Sequence, residues 1–384
     1  MLNKKRISRS KQKYLVKLVS GSFVANSGVG IIEYGVRLLD ALKKEKSEFD
    51  ICETALIKGN VFNMPKHLYK ERQAHPKAKE SADLTHYLDP GFISFDALFN
   101  PLGLRRSTYV VTMHDLDVFK VPTLKGMIKE YNAPHNFLRK PLMVISAPFI
   151  SLTRMAATSF VMGRAKAAIC VSEKTQKEVM ERYKVSEARC PIIYPIINDS
   201  FKPERSKKSG QKTIVGHISS YLPNKNVRML IEAFKKTKDK NLELRLYGGQ
   251  MPYKISDDKR IRYRGFPATE DLPKIMNSFD VFVFPSTWEG FGMPVMEAKK
   301  CKVPVITYAK GEITEIVKRN TLQFKDAKDL TRMLDDKEWK SADLDKAAND
   351  AKKCDAKYVA KRTLDVYRKV LNENDPSLPR KNGQ

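Results

Sequence analysis

The chain has 384 residues, 42% of them apolar and 30% charged, with a formal net charge of +27. That balance excludes a disordered chain and a membrane-spanning bundle, and the length points to two domains of about 150 to 200 residues each. The charge calls for an anionic partner, whether nucleic acid, anionic lipid headgroups or phosphorylated small molecules, and does not choose among them. Five scattered cysteines, Cys52, Cys170, Cys190, Cys301 and Cys354, never form a C-x-x-C pair, which points to reduced thiols in a cytosolic protein without a disulfide or zinc framework.

In chain order, MLNKKRISRSKQK (1–13) carries six Lys or Arg and no acid, and no apolar run of signal-peptide length follows it. It reads as a solvated basic arm, with contact to an anionic membrane as the second reading. From Tyr14 the strand YLVKLV, the loop SGSFVANSGVG, the helix IIEYGVRLLDALKK and the strand FDICETAL make a βαβ beginning. In that loop Gly28 and Gly30 fit the start of G-x-G-x-x-G, although Glu33 takes the third glycine's place. Its amides can meet an anion at the helix start, and a plain tight turn is the alternative. Segment 61–81 is basic and poorly periodic, and is left as loop.

Short apolar runs at LTHYL, STYVVTMHD and AKAAICVS continue a parallel sheet with flanking helices. PLMVISAPFISL (141–152) is too short to span a bilayer, which takes about 20 residues, and reads as a buried or interfacial helix. After a linker-like stretch rich in Pro, Lys and Ser, a second alternation begins. It runs KTIVGHIS (strand), NVRMLIEAFKK (helix), LELRLYGG (strand), DLPKIMNSF (helix), VFVFPS (strand), PVMEAKKC (helix) and VPVITY (strand). The expected boundaries are a lobe over 1–195, a second over 196–345, a helical segment 346–374 packing back on the first lobe, and a disordered tail 375–384.

The stretch FPSTWEGFGMPVMEA (284–298) sets Glu289 and Glu297 around a glycine turn that joins a strand to a helix. Pro294 suits the first turn of that helix, and the amides near Gly292 and Met293 make a phosphate site. By spacing alone Glu297 has two readings: a first-turn carboxylate offsetting the helix dipole, or an acceptor of hydrogen bonds from sugar hydroxyls.

This stretch resembles the E-x7-E signature of retaining glycosyltransferase family 4, whose members have the α/β GT-B fold of two Rossmann-like lobes facing a central cleft. The likeness extends in order and spacing from about Val16 to Leu330. It implies that Glu289 lies at the transferred sugar, that Glu297 binds the ribose hydroxyls, and that Phe291, Gly292 and Met293 contact sugar and diphosphate. VVTMHD puts His114 near the donor sugar, and AAICVSEKTQKEVMERY puts Ser172 and Glu173 at a strand end. GHISSYLPNKN, opening at Gly216, resembles the diphosphate loop, in which Lys225 is the matching lysine. As an exposed loop residue Lys225 is expected to add little to folding, and one more solvated surface lysine is its plainer reading. Phe266 corresponds to the residue near the base, and Glu315 to the glutamate that follows the donor site. Where many members have arginine this chain has His217, leaving Arg228 as a substitute cation or none at all. His86 ends a short strand and is a candidate for the acceptor side, with a core histidine as the alternative.

The resemblance implies a cytoplasmic glycosyltransferase, peripheral on the inner face of the membrane, that moves a hexosyl-type sugar with retention. Its donor is a nucleotide-diphosphate sugar, its acceptor a glycan or lipid-linked molecule, and it needs no cofactor. No metal is expected, because no His/Cys/Asp grouping has ligand spacing. The first alternative is a GT-B-fold binding or scaffold protein with weak or no turnover, the reading that His217 favours. Nucleic acid is not expected as a partner, since the chain has neither a recognition helix nor an aromatic platform.

Overall fold

The computed structural model describes residues 14–20, 28–55, 82–89, 108–114, 158–159, 162–204, 212–249 and 257–372. The basic arm, the 61–81 segment, the 141–152 stretch and the tail lie outside the described residues. The chain divides into two compact units, 1–193 with 360–384, and 194–359.

Unit 1 contains β1 (Tyr14–Ser20), α1 (Gly28–Lys44), β2 (Phe49–Ala55), β3 (Leu84–Tyr87), β4 (Tyr109–Met113), β5 (Ala167–Cys170) and α2 (Glu173–Tyr183). All its strand pairs are parallel, in the order β2-β1-β3-β4-β5. Such an arrangement needs both faces covered, and β3, β4 and β5 are buried at every position, which is why they read as continuous apolar runs. Ser172 caps α2 by accepting a hydrogen bond from the Thr175 amide at 3.0 Å. One boundary is corrected: Gly28 and Gly30, expected in a loop, form the first turn of α1.

Unit 2 contains β6 (Thr213–Ser219), α3 (Val227–Lys235), β7 (Leu242–Gly248), β8 (Ile261–Tyr263), α4 (Leu272–Asn277), β9 (Val281–Phe284), α5 (Met293–Lys300), β10 (Val305–Tyr308), α6 (Glu315–Lys318), β11 (Leu322–Phe324), α7 (Ala327–Asp335) and α8 (Leu344–Ala351). Its sheet is again parallel, in the order β11-β10-β9-β6-β7-β8. From β6 the chain winds outward through β7 and β8, then returns to β9 on the other side and winds outward through β10 and β11. The strand order therefore reverses between β6 and β9, the place where doubly wound sheets open a crevice at their strands' carboxyl ends. β8 and β11, of three residues each, are too short to show alternation and were not expected from the sequence.

α9 (Ala356–Asn372) ends the described chain, and its residues from Ala360 belong to unit 1. There the Tyr367 hydroxyl meets His86 Nδ1 at 2.7 Å, and the Tyr367 ring stands edge-on to Phe49. Arg368 holds both carboxylate oxygens of Glu48, at 2.5 and 3.1 Å. All five cysteines are buried.

In unit 2 a polar cluster ties α5 to α6 and α8. The Lys299 side chain is wholly buried, donating to the carbonyls of Ile316 (2.9 Å) and Arg319 (2.5 Å) and pairing with Asp350 at 3.2 Å. Asp350 also accepts from Arg319 Nε at 2.9 Å and from Asn320 at 3.0 Å. Burial pushes the Asp350 carboxyl up, but Arg319 and Lys299 outweigh it and hold the group below its ordinary range. Removing one partner of such a pair leaves a buried charge uncompensated. Asp350→Ala is expected to destabilise the protein by about 3 to 5 kcal/mol in urea denaturation, whereas Lys299→Met combined with Asp350→Leu costs less.

Candidate functional site

Strand β9 is buried throughout and ends on Phe284, after which Pro285 and Ser286 carry the chain to the sheet's carboxyl edge. The turn that follows is held by backbone bonds to two neighbouring loops. The Thr287 amide donates to Asn224 O at 2.8 Å, and the Glu289 amide to Glu312 O at 3.0 Å. The Asn224 side-chain amide donates to Trp288 O at 3.1 Å. Asn224 is a positioning residue that motif reading passed over, although it sits in the same Pro-Asn-Lys-Asn run as Lys225.

The turn closes at Gly292, whose φ of +110° is a left-handed conformation that suits glycine. A Cβ there would also lie 3.0 Å from Val317. Gly292 caps α5, no side chain bonds to the helix's amino end as a cap, and Pro294 stands in its first turn. Glu297 lies one turn further on, 8% exposed.

Lys225 ends a short turn after β6, and its Nζ donates to both oxygens of Glu289, at 2.7 and 2.8 Å. The two side chains are only 17% and 11% exposed. This corrects the expectation of an exposed loop lysine: Lys225 is half of a largely desolvated ion pair, so its removal leaves Glu289 uncompensated. The pair joins the loop after β6 to the loop after β9, at the point where the strand order reverses.

At His217, where the resemblance leads one to look for an arginine, the side chain offers no cation. Its ring is wholly buried, with Nδ1 2.9 Å from Val283 O and Nε2 2.8 Å from Ser219 Oγ. A carbonyl only accepts, so Nδ1 carries the proton; in the neutral ring Nε2 then accepts from the Ser219 hydroxyl. Burial pulls the ring's pKa down to about 4, the Lys225 charge adds to this, and the Val283 carbonyl opposes it. His217 is a neutral ring that ties the end of β6 to β9.

The remaining expected residues separate into groups. Gly216 lies mid-strand, where a Cβ would meet the Phe279 ring at 2.2 Å, so its small size serves packing between β6 and β9. Phe291 is buried against Tyr194, with ring centroids 5.7 Å apart. Met293 is half-buried and Arg228 exposed. Phe266 is 80% exposed and Trp288 42%; with the exposed Leu222, they follow the carboxyl ends of β8, β9 and β6. Glu315 opens α6.

In unit 1, His114 follows β4, donates from Nε2 to Leu88 O at 2.9 Å and packs edge-on against Tyr34 at 4.9 Å. His86 is corrected from an acceptor-side candidate to a core histidine. It is wholly buried between Tyr367 and Thr112, the latter at 2.8 Å, and burial together with the His114 charge pulls its pKa down to about 3. Among the described residues no helix is long and apolar enough to cross a membrane. Among them, too, no group of three His, Cys, Asp or Glu could hold a metal ion.

Residues 198–353 match the family model described as Glycosyl transferases group 1. The chain is 30% identical over 196 residues to N,N'-diacetylbacillosaminyl-diphospho-undecaprenol alpha-1,3-N-acetylgalactosaminyltransferase of Campylobacter jejuni, covering 47% of this chain and 51% of that protein. It spans about half or less of the length of the first curated relatives it matches. Among solved structures it is similar to sucrose-phosphate synthase from Thermosynechococcus elongatus, with a TM-score of 0.65 and 19% identity over 93% of this chain and 99% of that one. It is similar also to Anabaena Alr3699/HepE in complex with UDP and glucose, with a TM-score of 0.61 and 16% identity over 92% of this chain and 99% of that one. With two Rossmann-like parallel-sheet units, the chain has the GT-B fold.

Because folded His217 resists protonation relative to an unfolded histidine, its contribution to stability is complete above about pH 6.5 and is lost as pH falls toward about 4. Urea denaturation between those limits is expected to show a loss on the order of 3 kcal/mol from this residue. His217→Gln should flatten the slope.

Proposed function

We propose that the protein is a glycosyltransferase that transfers a hexosyl-type sugar from a nucleotide-diphosphate sugar to a glycan or lipid-linked acceptor, with retention and without a metal. The observation that carries this reading is the Lys225–Glu289 pair at the strand-order reversal of unit 2, beside the amino end of α5. In this reading the diphosphate lies against Lys225 and the amides at Gly292 and Met293, where a cation and a helix dipole meet its charge. Glu289 faces the transferred sugar, Glu297 accepts from the ribose hydroxyls, and exposed Phe266 offers a face to the base. Support comes from the family model over this same unit, from the relative that acts as an N-acetylgalactosaminyltransferase, and from the neighbour that holds UDP.

The chemistry follows from charge. As the bond between sugar and diphosphate breaks, negative charge grows on the leaving oxygen, and preorganised donors stabilise it without reorganising. Lys225 contributes the formal charge here, because His217 is neutral. The Lys225–Glu289 contact keeps both groups in place, and an arriving diphosphate shares the ammonium with Glu289. The leaving oxygen then takes the acceptor's proton on the same face, which retains configuration. His114, at a strand's carboxyl end in unit 1, is assigned to the donor sugar.

Incubation with UDP-, GDP- and ADP-sugars, with nucleotide release followed by chromatography and product anomers by NMR, tests this reading. Release of no nucleotide from any donor, with binding intact, would assign the chain to a binding role. Glu297→Gln is expected to weaken nucleotide-diphosphate binding by about 1 to 2 kcal/mol in calorimetry, because a charge-assisted hydrogen bond becomes a neutral one. Lys225→Met is expected to lower single-turnover rate about 100-fold or more. It should also lower the melting temperature, and Lys225→Met with Glu289→Gln should recover part of that loss but none of the rate.

A further inference from the structure

Unit 1 holds a cavity of about 280 Å³ along its edge strand β5, near the strand's amino end. Lys166 and Ala167 form one side, where the Lys166 amide donates to Tyr109 O at the start of β4. α9 forms the other side, presenting Arg362, Val366 and Lys369 from one face at helical spacing. The cavity lies at the end of the sheet opposite to His114, which follows the carboxyl end of β4.

Its chemistry is divided. Pro191, Val366 and Val370 give it apolar walls, while Lys166, Arg189, Arg362 and Lys369 bring four cationic groups to its lining. One carboxylate, Asp365, also lines it, and that group is taken up by Arg368 at 2.8 Å. Among the described residues none of the four cations makes an ion pair. Arg189 is held in place by donating to Ala165 O and to Met162 O, the latter at 3.2 Å. Lys369 reaches across to Ala188 O at 3.3 Å. Two of the cations are therefore fixed on the cavity wall by carbonyls, which leave their charge uncompensated.

We infer that this cavity binds an organic phosphate monoester, its dianion among Arg189, Arg362 and Lys369 and its carbon part against Val366, Val370 and Pro191. A carboxylate satisfies one guanidinium, whereas a phosphate dianion has oxygens enough for several cationic donors at once. The volume exceeds what inorganic phosphate fills, and the apolar walls reward a carbon substituent. The same chemistry occurs in a soluble phosphoester and in an anionic lipid headgroup at a bilayer surface.

The test uses the full chain, with phenyl phosphate, inorganic phosphate and benzoate in calorimetry, and vesicles of phosphatidylcholine with or without phosphatidic acid in co-sedimentation. Phenyl phosphate is expected to bind more tightly than either other anion. Arg362→Gln with Lys369→Gln, both at exposed positions, should weaken it about tenfold or more at an unchanged melting temperature. Lys328→Gln with Lys340→Gln removes the same charge from exposed positions in unit 2 and should change it less than about twofold. Equal weakening by both pairs, benzoate binding as tightly as phenyl phosphate, or no binding of phenyl phosphate overturns the inference. If the cavity variant also loses phosphatidic acid vesicles, the source is a headgroup; if only phenyl phosphate binding falls, it is a soluble phosphoester.

Discussion

The adjacency of β6 and β9 is the constraint on which the rest of unit 2 depends. Only two register pairs are made between them, Val215 with Val281 and Gly216 with Phe282. They form because Gly216 has no side chain where the Phe279 ring must lie. Once the two strands are neighbours, their following loops share one edge of the sheet, and residues 64 positions apart in the chain meet as Lys225 and Glu289. A side chain at Gly216 would push the strands apart and separate the charges without touching either of them.

That ion pair sets Lys225 apart from the other charges of a strongly basic protein. Most of its 71 basic residues are spread along the chain, where surface charge is screened by salt. Lys225 differs because it is largely withdrawn from water and held by a carboxylate, so its position is fixed before any ligand arrives. Fixed charge in a low-dielectric setting acts more strongly than the same charge on a mobile surface side chain. His217 works on the same two strands by another route, bonding Val283 of β9 and Ser219 at the end of β6 while carrying no charge.

The sequence made the scaffold legible because buried parallel strands are short apolar runs bounded by turn residues, and VFVFPS, VPVITY and STYVVTMHD have that form. The turn around Gly292 was legible too, since Gly, Pro and Glu each have a local reason for their place. What could not be read were pairings set by tertiary folding. Nothing local in LTHYL marks His86 as a partner of Tyr367, 281 residues later, and nothing in PNKN marks Lys225 as withdrawn from solvent. His217 could be seen to replace an arginine, but its neutrality follows from complete burial, with the Lys225 charge adding to it, and only the folded sheet supplies either. α7 was legible in principle, its Leu330, Met333 and Leu334 having helical spacing on a buried face.

The burial of every cysteine has a practical consequence. Alkylation requires a thiolate that reagent can reach, so each sulfur reacts only when the structure around it opens. Cys52, Cys170 and Cys190 lie in one unit, and Cys301 and Cys354 in the other. Mass spectrometry of pulse-alkylated peptides would thus read two internal clocks from the unmodified chain, one for each unit's opening rate, and show whether the two units loosen together or in turn.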